Sequence, residues 1–340
     1  MESAAVRLLI DRRRWLALGA GVLCHAAWAA PLPPRIASPA LTQSDFVRNG
    51  LQLHFVPAAQ AFAQSTAALR DQLAAGCGLQ PARAAWRTAM LDWERLSAVS
   101  VGPLLERRSA RTLDFWPTRP AMVSAAVQAP PADAAALEQL GAPAKGLPAL
   151  EWLLWQRAPD AAQCAYAALL AEASASEAQA ILADFQALAQ QTWTPETALT
   201  VFHEWFSQAV GGFEQLRWKK MGKPARSGRA SDWPRATSGN TRAAWQAAWG
   251  GLQHFLVGTG RAQEEGSLNG YLAGDNQLEL SAQLESAVAQ LHTRMQAADP
   301  ARGTTVTAAM QTLAKTKQLM EDKIAPELKT MVGFSESDGD

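Results

Sequence analysis

Two short stretches of this 340-residue chain carry side chains whose types and spacing could do chemistry. One reads Lys145-Gly146-Leu147-Pro148-Ala149-Leu150-Glu151-Trp152-Leu153-Leu154-Trp155, a single carboxylate in the first turns of an otherwise apolar helix. The other sets Trp93-Glu94 ahead of Gly102-Pro103 and Asp114-Phe115-Trp116-Pro117. A carboxylate among apolar residues is costly unless it is paired, protonated or metal-bound, so a buried Glu151 requires a partner. Glu94 and Asp114 would supply a second set of oxygen ligands facing it, a donor type that suits hard divalent cations and iron. The plainer reading gives Glu151 to the helix dipole, Asp114 to a turn cap and Trp116 to packing.

The usual catalytic signatures are absent from the sequence. There is no His-Glu-x-x-His, phosphate-binding loop, Gly-x-Ser-x-Gly or Cys-x-x-Cys. His54, His203, His254 and His292 are scattered singly, which fits structural roles better than a ligand set.

The elements that must position these residues are helices. Ala59, Phe62, Thr66, Leu69 and Leu73 recur every three or four residues, as do Trp86, Ala89, Trp93 and Leu96. Phe202, Phe206, Ala209, Phe213 and Leu216 form a further stripe, and Trp245, Ala248, Leu252 and Phe255 another. Pro57 is expected to start or kink its helix. No segment alternates as a strand would. The expected fold is all-α. A basic stretch from Arg217 to Arg235 reads as a solvated connector, the alternative being a docking patch for an acidic partner. Ala82-Arg83-Ala84-Ala85-Trp86 is echoed by Thr241-Arg242-Ala243-Ala244-Trp245, and each is followed by a second tryptophan, Trp93 and Trp249. Two related helical bundles in tandem would show this.

Composition bounds the class. Thirty-one basic residues balance thirty-one acidic ones, so no bulk attraction to nucleic acid or anionic membrane is expected. The first residues have the form of a signal segment: Arg12-Arg13-Arg14, a short apolar run from Trp15 to Leu23, then Ala27-Trp28-Ala29. Export, cleavage near Ala30 (signal peptide 1–29) and a periplasmic location follow as expectations, by the general or the twin-arginine route. The apolar run is too short to span a bilayer, and the remainder is not expected to be transmembrane. Cys24 lies in the discarded segment. That leaves Cys77 and Cys164, expected as a disulfide in an oxidising compartment, with two free buried thiols as the alternative.

Four local matches, in order, give the chain a family likeness. They are Gly102-Pro103 leading to Asp114-Phe115-Trp116-Pro117, Lys145 to Trp155, Trp233-Pro234 followed by Ser238-Gly239, and Gly333-Phe334-Ser335-Glu336-Ser337-Asp338-Gly339-Asp340. From about Ser44 to its end the chain resembles the imelysin-like family, which groups insulin-cleaving metallopeptidases with iron-regulated envelope proteins and non-peptidase relatives. The resemblance implies two helical bundles side by side, 44–220 and 221–335. The family's peptidase-type motif is Gly-x-His-x-x-Glu, and this chain has Pro148 where the histidine belongs, with Gly146 and Glu151 kept. Proline cannot ligate metal, though it suits a helix's first turn. The resemblance therefore implies an exported, non-catalytic binding protein associated with iron or another divalent cation. It makes Glu151, Glu94 and Asp114 the metal carboxylates, and Gly146, Pro148, Gly102, Pro103 and Trp116 the motif positions. A component of envelope metal uptake is the implied partner. A metallopeptidase with an altered ligand set, and a structural or polymer-binding envelope module, are the competing classes.

Overall fold

The computed structural model describes residues 40–155, 159–259 and 266–330. The signal segment, Cys24, the cleavage position and the match from Gly333 to Asp340 lie outside these residues. Among the described residues the regular structure is entirely helical.

The first helices form where the spacing predicts. Helix α1 (Gln43–Gly50) starts at a capping box, with Thr42 accepting from the Asp45 N–H and the Asp45 side chain accepting from the Thr42 N–H. Such caps satisfy N–H groups that the first helical turn leaves without partners. Helix α2 (Val56–Ala75) buries Ala59, Phe62, Thr66, Leu69 and Leu73, the predicted stripe. Helix α3 (Leu79–Leu96) buries Trp86, Ala89, Met90 and Trp93, with Glu94 on the same inner face.

A run of short helices follows: α4 (Pro103–Glu106), α5 (Ser109–Leu113), α6 (Pro120–Gln128) and α7 (Ala134–Glu138). Then come α8 (Gly146–Trp155), α9 (Ala161–Ala189) and α10 (Pro195–Glu214). Helix α2 packs on α3 and α9, and α8 packs on both α3 and α9. Cys77 and Cys164 are disulfide-bonded, tying the α2–α3 turn to the first turn of α9.

The basic stretch from Arg217 to Arg235 is a solvated connector only in part: residues 225–231 are exposed, while what flanks them is largely helical or buried. Helix α10 continues through a wide π-turn, Gln215–Gly222, into α11 (Lys223–Ser227), and Leu216, Met221, Gly222 and Pro224 are buried. Pro224 explains the wide turn. A proline within a helix has no N–H to donate, and its ring crowds the carbonyl four residues back. A turn with longer spacing before it takes up that mismatch. Pro57 and Pro326 follow the same rule, behind the π-turns Leu51–Phe55 and Met320–Ile324. Pro57 thus sits in the first turn of α2, as the sequence predicts, with the wide turn joining it to α1.

Helix α12 (Thr241–Val257) packs along α3, and the helix Leu278–Ala297 packs on both α12 and Gly303–Leu319. Residues before and after position 220 share one hydrophobic core. The echoed tryptophans have matched tasks in it. Each of the four donates its indole N–H: Trp86 to the Leu147 carbonyl at 2.8 Å, Trp93 to Asp114 at 3.0 Å, Trp245 to the Lys220 carbonyl at 3.1 Å and Trp249 to His292 at 3.3 Å. Buried tryptophan contributes a large apolar area, and its polar edge needs such a partner.

Candidate functional site

The site is assembled by α3, the approach to α6, the start of α8, and the segment from Lys220 to Ser238. Glycine sets its closest contact. Gly146 has φ of 71°, and a Cβ there would lie 2.4 Å from the Leu113 carbonyl oxygen. Only glycine permits this approach. It presses the first turn of α8 against the residues just before Asp114, while the Trp86 indole holds the neighbouring Leu147 carbonyl.

Glu94 is fully buried and has both oxygens engaged. Oε1 accepts from Arg235 Nη2 at 3.1 Å and Nε at 3.3 Å, and Oε2 accepts from Lys220. Asp114 is likewise engaged on both oxygens: Oδ1 accepts from Arg235 Nη2 and Oδ2 from the Trp93 indole. Arg235 is 2 % exposed and has φ of 64°. Burial opposes its charge, but Asp114, Glu94 and Glu151 outweigh burial and hold the guanidinium more firmly protonated than usual. Burial also works against the Glu94 carboxylate, yet Lys220 and Arg235 prevail and keep its pKa below the ordinary value.

Glu151 is 5 % exposed and is held from the other side. Its Oε1 accepts from the Ser238 N–H at 2.8 Å and the Ser238 hydroxyl at 2.6 Å. The same hydroxyl lies 3.1 Å from the Arg235 carbonyl, but one O–H donates once, and the charged acceptor at shorter range is favoured.

The structure thus brings the three predicted carboxylates into one charged cluster and places Arg235 between Glu94 and Asp114, where a cation would have been needed. Among the described residues no group of three or more His, Cys, Asp or Glu side chains is placed to hold a metal ion. The donor set does not fit a catalytic metal: Glu94 and Asp114 are neutralised by protein cations, and Pro148 offers no ligand.

Sequence reasoning missed Arg235, Lys220 and Ser238. Arg235 and Lys220 sat in a basic run read as solvated, although Trp233-Pro234 before Arg235 marks an apolar setting. Gly102 and Pro103 open α4, and the Gly102 N–H donates to Glu204 at 3.3 Å.

Beside the cluster lies a cavity of about 490 Å³. Pro148 and Glu151, one helical turn apart on α8, both line it, with Trp116, Trp152, Trp233 and Arg235. The motif position and the retained glutamate therefore face one space.

A sequence model of imelysin matches residues 55–325. This chain belongs to the imelysin family. Its fold agrees with two solved structures. An imelysin-like protein from Psychrobacter arcticum 273-4 superposes with a TM-score of 0.74 at 20 % identity, over 88 % of this chain and all of that one. A protein described as an iron-regulated protein A precursor, from Parabacteroides distasonis ATCC 8503, gives 0.67 at 14 % identity, over 82 % of this chain and 93 % of that one. At these identities the likeness to each is one of fold. None of the curated proteins matches the sequence. Among the described residues no helix of this imelysin is long and apolar enough to cross a membrane.

Proposed function

We propose that this imelysin is an exported, non-peptidase binding protein of the cell envelope, and that the cavity beside Glu151 is its binding site. One observation carries the reading: Pro148 and Glu151 face a common cavity, while the carboxylates that would complete a metal centre are held by Arg235, Lys220 and Ser238. A zinc peptidase needs about three protein ligands and an open coordination position. The bare-cation site expected from Glu151, Glu94 and Asp114 is set aside on the same ground. A cavity of about 490 Å³ is in the range that takes a small molecule.

The sequence of the first residues supports export and removal of a leader near Ala30, in a periplasmic setting. The name of the Parabacteroides neighbour, an iron-regulated precursor, supports both export and a link to iron supply. The matched roles of Trp86 with Trp245 and Trp93 with Trp249 support reading 44–220 and 221–335 as related bundles.

The test is an incubation of the purified mature chain with an unfolded polypeptide and zinc, with products read by mass spectrometry. No cleavage above a chelator-treated control is expected. Cleavage that the chelator abolishes would overturn the reading.

A further inference from the structure

The buried cluster leaves one carboxylate oxygen to the cavity. Glu94 and Asp114 have both oxygens engaged by Arg235, Lys220 and the Trp93 indole, and Glu151 Oε1 takes both donors of Ser238. Glu151 Oε2 accepts from no described residue and is open to the cavity that Glu151 lines.

Charge is uneven in the same way. Three carboxylates, Glu94, Asp114 and Glu151, share two cations, Arg235 and Lys220. Arg235 is shared between two ion pairs, and Ser238 brings no charge, so the surplus negative charge rests with Glu151. The other cations on the lining do not cancel it. Arg229 is paired with Asp232 at 2.7 Å, and Lys223 is exposed to screening solvent and makes no ion pair with Glu151.

The walls add a second preference. Trp116, Trp152 and Trp233 line the cavity beside Pro148. An indole ring packs an apolar body and attracts a cation through its quadrupole. Tryptophans elsewhere in the chain already do so: the Arg226 guanidinium lies 4.4 Å from the Trp218 ring centre, and that of Arg87 5.0 Å from the Trp155 ring centre. A bare metal ion is poorly served, because a hard cation takes several oxygen ligands and this cavity frees one carboxylate oxygen.

Building on the binding-protein reading, we propose that the cavity takes a small organic ammonium ion with an apolar body. Its N–H donates to Glu151 Oε2, and its body lies against the three tryptophans.

The test is calorimetric titration of the full mature chain with 2-naphthylmethylamine, 2-naphthylmethanol and 2-naphthoate, which share a flat body and differ in charge. The amine should bind at least about tenfold more tightly than the other two, a margin that narrows in added salt. Glu151→Gln should remove that margin while the alcohol still binds, which reports an intact cavity. Lys223→Ala, at an exposed position, should tighten amine binding about twofold by removing a like charge, and it serves as the test if Glu151→Gln does not fold. Equal binding of the three, tighter binding of naphthoate, or a margin that survives Glu151→Gln overturns the ammonium assignment and leaves the cavity a binding site. Binding of none of the three, with or without uptake of zinc, overturns the reading of the cavity as a small-molecule site as well.

Discussion

Ser238 holds Glu151 by two hydrogen bonds, from its N–H at 2.8 Å and its hydroxyl at 2.6 Å, across 87 positions of sequence. The pair joins the first turns of α8 to the loop that carries Arg235, so it fixes one wall of the cavity. Ser238→Ala removes the hydroxyl and keeps the backbone donor. A buried carboxylate losing one charged hydrogen bond should cost about 1–3 kcal/mol. Urea unfolding of both proteins reads it, and an unchanged midpoint would deny the contact an energetic role.

Arg235→Met should be more severe, about 3–5 kcal/mol, because it leaves Glu94 buried with Lys220 as its remaining cation. Pairing it with Glu94→Gln should recover a large part of that loss, since the uncompensated charge goes as well. A double-mutant cycle by thermal unfolding measures the coupling. Strict additivity would show that the two groups do not interact.

Gly146→Ala should destabilise by more than about 2 kcal/mol, because φ of 71° disfavours any side chain and the new Cβ would press on the Leu113 carbonyl oxygen. Gly303→Ala is the control, since a Cβ there meets nothing within 4 Å. Equal melting temperatures for the two variants would contradict the close approach.

His54 gives the chain an acid-sensitive point. Burial, aided by the nearby His254, pushes its pKa from 6.5 down to about 3. Between those values the unfolded chain takes up a proton that the folded chain does not, so folding weakens as pH falls through that window and is unaffected above it. The loss approaches about tenfold in the folding equilibrium per pH unit for this one proton. Unfolding titrations between pH 7 and 5, above the carboxylate range, should show the slope, and His54→Gln should flatten it. An identical slope in the variant would place the acid sensitivity elsewhere.

The helical architecture was legible because its stripes are long and strongly periodic, and every predicted position on α2 and α3 is buried. The three carboxylates were legible as a group through apolar neighbours and motif order. Their partners were not. Arg235 is distant in sequence from Glu94 and lies among exposed basic residues, so local composition hid a buried guanidinium. The continuation of α10 was hidden by Pro224, which reads as a break until the wide turn before it is seen. Why Glu151 persists beside a proline is answered only in three dimensions, where Ser238 and the cavity meet it.

The central claim is that protein cations and Ser238, not a metal ion, satisfy these carboxylates. Calorimetric titration of the mature chain with zinc and with ferrous iron, on wild type and on Glu151→Gln, tests it most directly. No stoichiometric uptake that depends on Glu151 is expected. One metal ion bound per wild-type chain, and lost in Glu151→Gln, would contradict it.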